Sequence, residues 1–344
     1  MVFYQSWDYQ FLHLTNIGVV MTDSNLDKVE QLIADGLVYH DAGEIEKARD
    51  AYLQALDLDP ENAKALDLAG LLCMQCGEPE AAEEFYRSAI NIEPDNTRFS
   101  LHLGILYLEQ NDFEKSEEIL RKVIEQEPDH SDARLYIALG MRAKGERDAA
   151  RALLEAAEEL NSDNASYKKW LGLLSLETGD LVTALDYTNR SIELDPLDIS
   201  VYSQLGTILN EMDDHQLAEK CYISGLKVDS QDMHCRAGLA GTLIKLGKLD
   251  EAENELRQAV ELGGEQHPLV LSLSALLDAF ADKKRDAQSK IESALSTDAA
   301  SLEILLIAYE VMQNIEEEKK AEDILNTMQN IAPDDARVMS ALLG

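Results

Sequence analysis

Aromatic residues make up only 6% of this 344-residue chain, and there are seven prolines. That scarcity suits close-packed helices more than sheets, which favour aromatic and β-branched side chains. Positive charge is also scarce: 30 Lys and Arg stand against 66 Asp and Glu, a net charge of −36. Such a surface repels nucleic-acid phosphate and anionic lipid, so binding to nucleic acid is not expected. No stretch approaches the roughly 20 apolar residues of a membrane span, so no membrane insertion is expected. The first 20 residues hold no Lys or Arg and include Asp8, and their longest apolar run is Ile17 to Val20. No secretory signal is expected from these residues, and the expected compartment is cytoplasmic.

Catalytic signatures are missing as well. There is no phosphate-binding glycine loop, no G-x-S-x-G elbow and no H-E-x-x-H pair. The seven histidines are scattered, and none has a metal-ligand partner at useful spacing. An enzyme is not expected, nor a metal or cofactor. The many carboxylates read as a solvated face.

What the chain does have is a period. Small residues stand at Gly36, Gly70, Gly104, Ala138, Gly172, Gly206, Ala240, Ser274 and Ala308, each 34 residues after the last. A second ladder at the same spacing runs through Ala48, Ala82, Ser116, Ala150, Ala184, Ala218 and Ala252. A repeat of this size means stacked units, each touching only its neighbours. Within residues 63–96, Leu66, Ala69, Gly70 and Cys73 mark the apolar face of a first helix. Gly77 is placed to end it in a left-handed conformation. Ala81, Ala82, Tyr86 and Ala89 mark a second helix, which Pro94 stops. Turn residues recur at Gly43, Gly77, Asn111, Gly145, Gly179, Asp213 and Gly247.

Four cysteines remain to be explained: Cys73, Cys76, Cys221 and Cys235. Cys73 and Cys76 form a C-x-x-C pair, but the second pair lies four repeats further along. The two pairs cannot complete one tetrahedral zinc site. Cys73 occupies a core position, where cysteine acts as a small hydrophobe. This usage fits a reducing compartment.

The pattern resembles the tetratricopeptide repeat family. Leu103-Gly104 with Tyr107 matches its first helix, and Ala48, Tyr52, Ala55 and Pro60 match its second helix and terminal proline. The resemblance spans about residues 29–333 and recurs about nine times. The family's Trp position holds Leu32, Leu66, Ser100 or Arg134 instead. Ala287 and Ala321 fall one residue later than the ladder predicts, which implies an extra residue between helices. The resemblance implies an all-α, right-handed superhelical solenoid of about nine helix-turn-helix units. Residues 1–28 would be an N-terminal arm, of which 1–20 lie outside the period and are expected to be dispensable. Residues 29–333 would be the array, and residues 334–344 a short capping helix.

In this family the first helices line a concave face. The resemblance places Ile33, Leu37, Leu71, Met74, Leu101, Ile105, Leu108, Leu135, Leu139, Leu173 and Leu176 on it. An apolar stripe of that length would be a liability without a partner, and a peptide or amphipathic helix is its natural occupant. The alternative is that curvature tucks these side chains between helices as core. Lys64, Arg98, Arg142 and Lys169 sit beside the stripe. They would serve an acidic or C-terminal carboxylate partner, or else pair with the chain's own carboxylates. The Lys and Asn set of the family's chaperone-tail clamp is not found. From the sixth repeat the face turns small and polar, through Ser203, Thr207, Asn210, Ala237 and Gly241. The expected function is a non-enzymatic adaptor, chaperone-like module or scaffold that binds another protein. The alternatives are a self-associating structural scaffold, or an accessory subunit of an enzyme or of a secretion or surface-polymer assembly complex encoded elsewhere.

Overall fold

The computed structural model describes residues 23–298, 301–333 and 335–343. Among them every regular element is helical. The segment 1–20, expected to be dispensable, lies outside the described residues. The first helix already begins at Asp23, ahead of the boundary expected at residue 29.

Two compact units divide at Asp163 and Asn164. The first holds four helix pairs: α1 (Asp23–Asp41) with α2 (Ile45–Leu58), α3 (Ala63–Gln75) with α4 (Pro79–Ile92), α5 (Thr97–Glu109) with α6 (Phe113–Gln126), and α7 (Ser131–Ala143) with α8 (Arg147–Leu160). The second holds five more: α9 (Ala165–Glu177) with α10 (Leu181–Leu194), α11 (Ile199–Glu211) with α12 (His215–Val228), α13 (Met233–Lys245) with α14 (Leu249–Glu261), α15 (Pro268–Phe280) with α16 (Lys284–Thr297), and α17 (Leu302–Asn314) with α18 (Glu318–Ile331). The helix α19 (Ala336–Leu343) follows and packs on α18.

The sequence grammar explains each boundary. Asn62, Asp198 and Asp232 cap first helices by accepting a backbone N–H at 3.0, 3.0 and 2.6 Å; a cap of this kind stabilises a helix by about 1 kcal/mol. Within a pair, the chain turns through one left-handed residue. That residue is glycine at Gly43, Gly77, Gly145, Gly179 and Gly247, and Asn111, Asp213, Asp282 or Glu316 elsewhere, at φ of 57–65°. Asn and Asp tolerate this conformation through local hydrogen bonding, whereas Glu316 adopts it at a steric cost.

Packing within a pair follows a knob and a gap sixteen positions apart. A Cβ at Gly104 would stand 2.5 Å from Leu120 Cδ2, and one at Gly70 would stand 2.6 Å from the Tyr86 ring. Ser116 Oγ adds a 2.7 Å hydrogen bond to the Gly104 carbonyl. The bare glycine therefore lets the partner helix insert a large side chain. Tyr52, Tyr86, Leu120 and Leu154 are all buried knobs of this kind.

The period slips once, and the structure corrects where. The extra residue sits before α15, in the connection that carries left-handed Gly263 and a short 3₁₀ turn at Gly264–Gln266. It does not fall between α15 and α16. The small gap residue of that pair is therefore the buried Ala275, and Ser274 is only half-buried.

The apolar core is uneven. In the first unit one connected cluster runs from Val29 to Tyr107. In the second, a larger one runs from Leu205 to Val338. Helix α10 buries only Ala184, Thr188 and Ser191. Polar bonds substitute there: Thr188 Oγ1 accepts from Gln204 Nε2 at 3.1 Å, and Ser191 Oγ donates to the Ala165 carbonyl at 2.9 Å.

Candidate functional site

In each unit the first helices of successive pairs pack on one another: α3 on α5 and α5 on α7 in the first, and α11 on α13, α13 on α15 and α15 on α17 in the second. Second helices pack on their own partner and on the next first helix. The first helices thus form the inner layer of each unit, and the expected groove residues all lie on them.

The first unit's inner layer is apolar. Ile33 and Leu135 are buried, at 4% and 7% exposure, and belong to the packing. Leu37, Leu71, Met74, Leu101, Ile105, Leu108 and Leu139 are half-buried, each holding apolar surface toward solvent. Some of these also do structural work. Met74 Sδ accepts the Tyr86 hydroxyl at 3.1 Å, and Leu108 Cδ1 fills the space beside the missing Cβ of Gly140. Leu173 and Leu176, on α9 of the second unit, are half-buried in the same way.

The cations expected beside the stripe behave differently from one another. Arg98 reaches Asp67 Oδ2 at 3.2 Å, while His102 Nδ1 meets Asp67 Oδ1 at 2.5 Å. Asp67 is fully buried; the Arg98 charge and the His102 hydrogen bond, both from α5, offset the cost of burying its carboxylate, although Oδ2 itself accepts no hydrogen bond. Lys169 holds Asp198 at 2.7 Å. Burial pushes the Asp198 carboxyl up, but the bonds from Lys169 and Ser200 outweigh it and hold the group below its ordinary value. Arg142 is half-buried and Lys64 is exposed. Arg98 and Lys169 are thus engaged within the chain.

The second unit's inner layer lines an open cavity of about 600 Å³. The polar residues expected there mostly satisfy each other. Asn210 Nδ2 donates to Thr242 Oγ1 at 2.9 Å, and Thr207 Oγ1 meets the Tyr222 hydroxyl at 3.2 Å. Leu269, Leu273, Leu276, Leu306 and Ile307 give it an apolar lining, and the missing Cβ of Gly238 admits the Tyr222 ring. Three carboxylates also line it: Glu211, Glu303 and Glu310. Arg337 of α19 bonds Glu211 at 2.8 Å, which ties the last helix back to α11. Glu303 and Glu310 have no hydrogen bond or ion pair from their carboxylates among the described residues. Both keep exposed surface, yet protein surrounds them within the concavity. Loss of bulk water raises both carboxyls above their ordinary value, and the nearby Glu211 charge raises Glu303 further, against the opposing pull of Arg337 and Lys245.

This acidic feature was not singled out in the sequence. In a chain this acidic, Glu303 and Glu310 look like ordinary surface residues until the fold brings residues 207 to 337 around one space.

The cysteines are free. Cys73 is buried, and burial pushes its thiol well up, as it does for Cys235. Among the described residues no group of three or more His, Cys, Asp or Glu could hold a metal ion. No helix there is long and apolar enough to cross a membrane.

Comparisons with known proteins agree with this architecture. Family profiles described as tetratricopeptide repeat match residues 74–139, 142–199, 199–232 and 235–262, and one described as TPR repeat matches 36–72. A search of the curated proteins returns no match. Among solved structures, the Cut9–Hcn1 hetero-tetramer of the APC/C aligns with a TM-score of 0.64 at 19% identity over 85% of this chain and 56% of that one. A tetratricopeptide repeat protein from Parabacteroides merdae aligns at 0.57 with 17% identity, over 72% and 98% of the two chains. PilF of Pseudomonas aeruginosa aligns at 0.52 with 19% identity, over 62% and 97%. At these identities the likeness is one of fold. The profile matches and the paired-helix architecture together show that this chain belongs to the tetratricopeptide repeat family.

Proposed function

We propose that this protein is a non-enzymatic interaction module that holds a peptide or helix of a partner protein along its inner, first-helix face. The repeat fold supports a protein-interaction scaffold in general. The observation that carries the finer reading is the row Leu71, Ile105 and Leu139. These residues take the same position in three successive first helices, and all three are half-buried with apolar surface left over. A periodic apolar strip on an otherwise strongly acidic chain gains most from a partner that covers it.

The double substitution Ile105→Ser, Leu139→Ser tests this. Both side chains are already partly in water, so stability should fall by less than the roughly 2–5 kcal/mol per site of a fully buried truncation. Partner recovery from native lysate after crosslinking should fall sharply, because binding concentrates in a few desolvated anchors. A mutant that loses stability on the core scale assigns these residues to packing. A mutant that is stable and still recovers every partner moves the binding surface off this face.

A further inference from the structure

The second unit's cavity differs from the apolar strip in the one respect that selects a ligand, its charge. Glu303 and Glu310 lie on one face of α17, seven residues and therefore two turns apart, about 10.5 Å along the helix. Each is flanked by apolar neighbours on the same wall, Leu306 and Ile307 between them and Leu273 and Leu276 opposite. Of the cavity's two cations, Arg337 is already bonded to Glu211 and Asp335. Lys245 makes no ion pair with either carboxylate among the described residues, although its charge acts on both. The wall thus carries two accessible carboxylates without donors among the described residues, placed to accept charge-assisted bonds.

We propose that this cavity binds a partner-protein segment bearing lysine or arginine among apolar residues, its cations on Glu303 and Glu310 and its apolar side chains on Leu273, Leu276 and Ile307. The proposal rests on the reading of this protein as an interaction module and adds the chemistry of the partner. A volume of about 600 Å³ accommodates several side chains but no folded domain. A second copy of this chain is a poor occupant, since its net charge of −36 opposes approach to an acidic cavity. A metal ion is a poor occupant too, because no third ligand joins the two carboxylates among the described residues.

The experiment is selection of random twelve-residue peptides on the full-length protein. Binding of the selected peptides is then measured to wild type, to Glu303→Gln/Glu310→Gln and to Glu303→Lys. Selected sequences should be rich in Lys or Arg next to Leu, Ile or Phe. Affinity should fall about tenfold or more in the double Gln variant, with unchanged helicity and melting no lower than that of wild type. Peptides with their Lys changed to Glu should regain binding to Glu303→Lys, a rescue that misfolding cannot mimic. Peptides whose binding survives the double Gln variant but falls on Ile105→Ser/Leu139→Ser overturn this site while leaving the interaction reading intact. Spermidine binding alone, one to one and as tightly as any peptide, overturns the peptide assignment in favour of a small polycation. Failure to select any peptide overturns the proposal, and only joint failure of the lysate experiment reaches the broader reading.

Discussion

The two units build their inner layers from the same repeat yet present different chemistry. In the first, half-buried leucines form the surface, and Arg98 and His102 are drawn inward to serve buried Asp67. In the second, small residues open a cavity, its hydroxyls and amides bond each other, and two glutamates are left without partners. The lesson is that repeat positions facing a neighbouring helix are constrained alike, whereas those facing the inner space are free to diverge. One scaffold can thus offer an apolar grip in one unit and an acidic one in the other.

The largest expected effect comes from breaking a shared position. Gly104→Leu would drive a side chain into Leu120, which already lies within contact distance of the missing Cβ. It should cost about 1–3 kcal/mol or more. Since coupling in such arrays is between neighbours, hydrogen exchange should quicken in α3 to α8 and stay unchanged in α11 to α18. Equal loss across both units would refute nearest-neighbour coupling.

Next comes the pairing of the first unit's cations. Arg98→Leu leaves Asp67 buried with His102 as its remaining partner. The expected loss is about 1 kcal/mol or less, the scale of an ion pair whose cation is half-exposed. Neutral stability together with lost partner capture would mean instead that Arg98 serves a ligand.

The smallest effect concerns the free glutamates. Their carboxyls are raised in the folded protein, so ionisation disfavours folding. That penalty is present above the raised folded value and vanishes as pH falls below the ordinary carboxylate range. Glu303→Gln/Glu310→Gln should therefore melt about 1–2 °C above wild type at pH 7, the scale of a favourable surface change in a domain this size. The gap should close toward pH 4. A wild type more stable than the variant at pH 7 would mean these carboxylates are already paired.

Much of the fold was legible because the repeat writes its geometry in small residues. The gaps at Gly70 and Gly104 and the turn residues Asn111 and Asp213 each have one physical job and a residue suited to it. The single slip was harder. Ser274 continues the ladder arithmetically, but the connection through Gly263 had already added its residue, so Ala275 takes the gap. The leucine strip was legible as a position, while its degree of burial depends on how neighbouring first helices lean. The acidic cavity was not legible at all. It depends on α11, α13, α15, α17 and α19 converging, and the Glu211–Arg337 bond joins residues 126 apart in sequence.

The proposed function places partners on the inner face. Photo-crosslinking amino acids placed one at a time at Ile105, at Ile307 and at the exposed outer residue Arg121 test it directly in native lysate. The account predicts partner adducts from Ile105 and Ile307, competed by the selected basic peptides at Ile307 alone, and none from Arg121. Adducts from Arg121 with none from either inner position would contradict it.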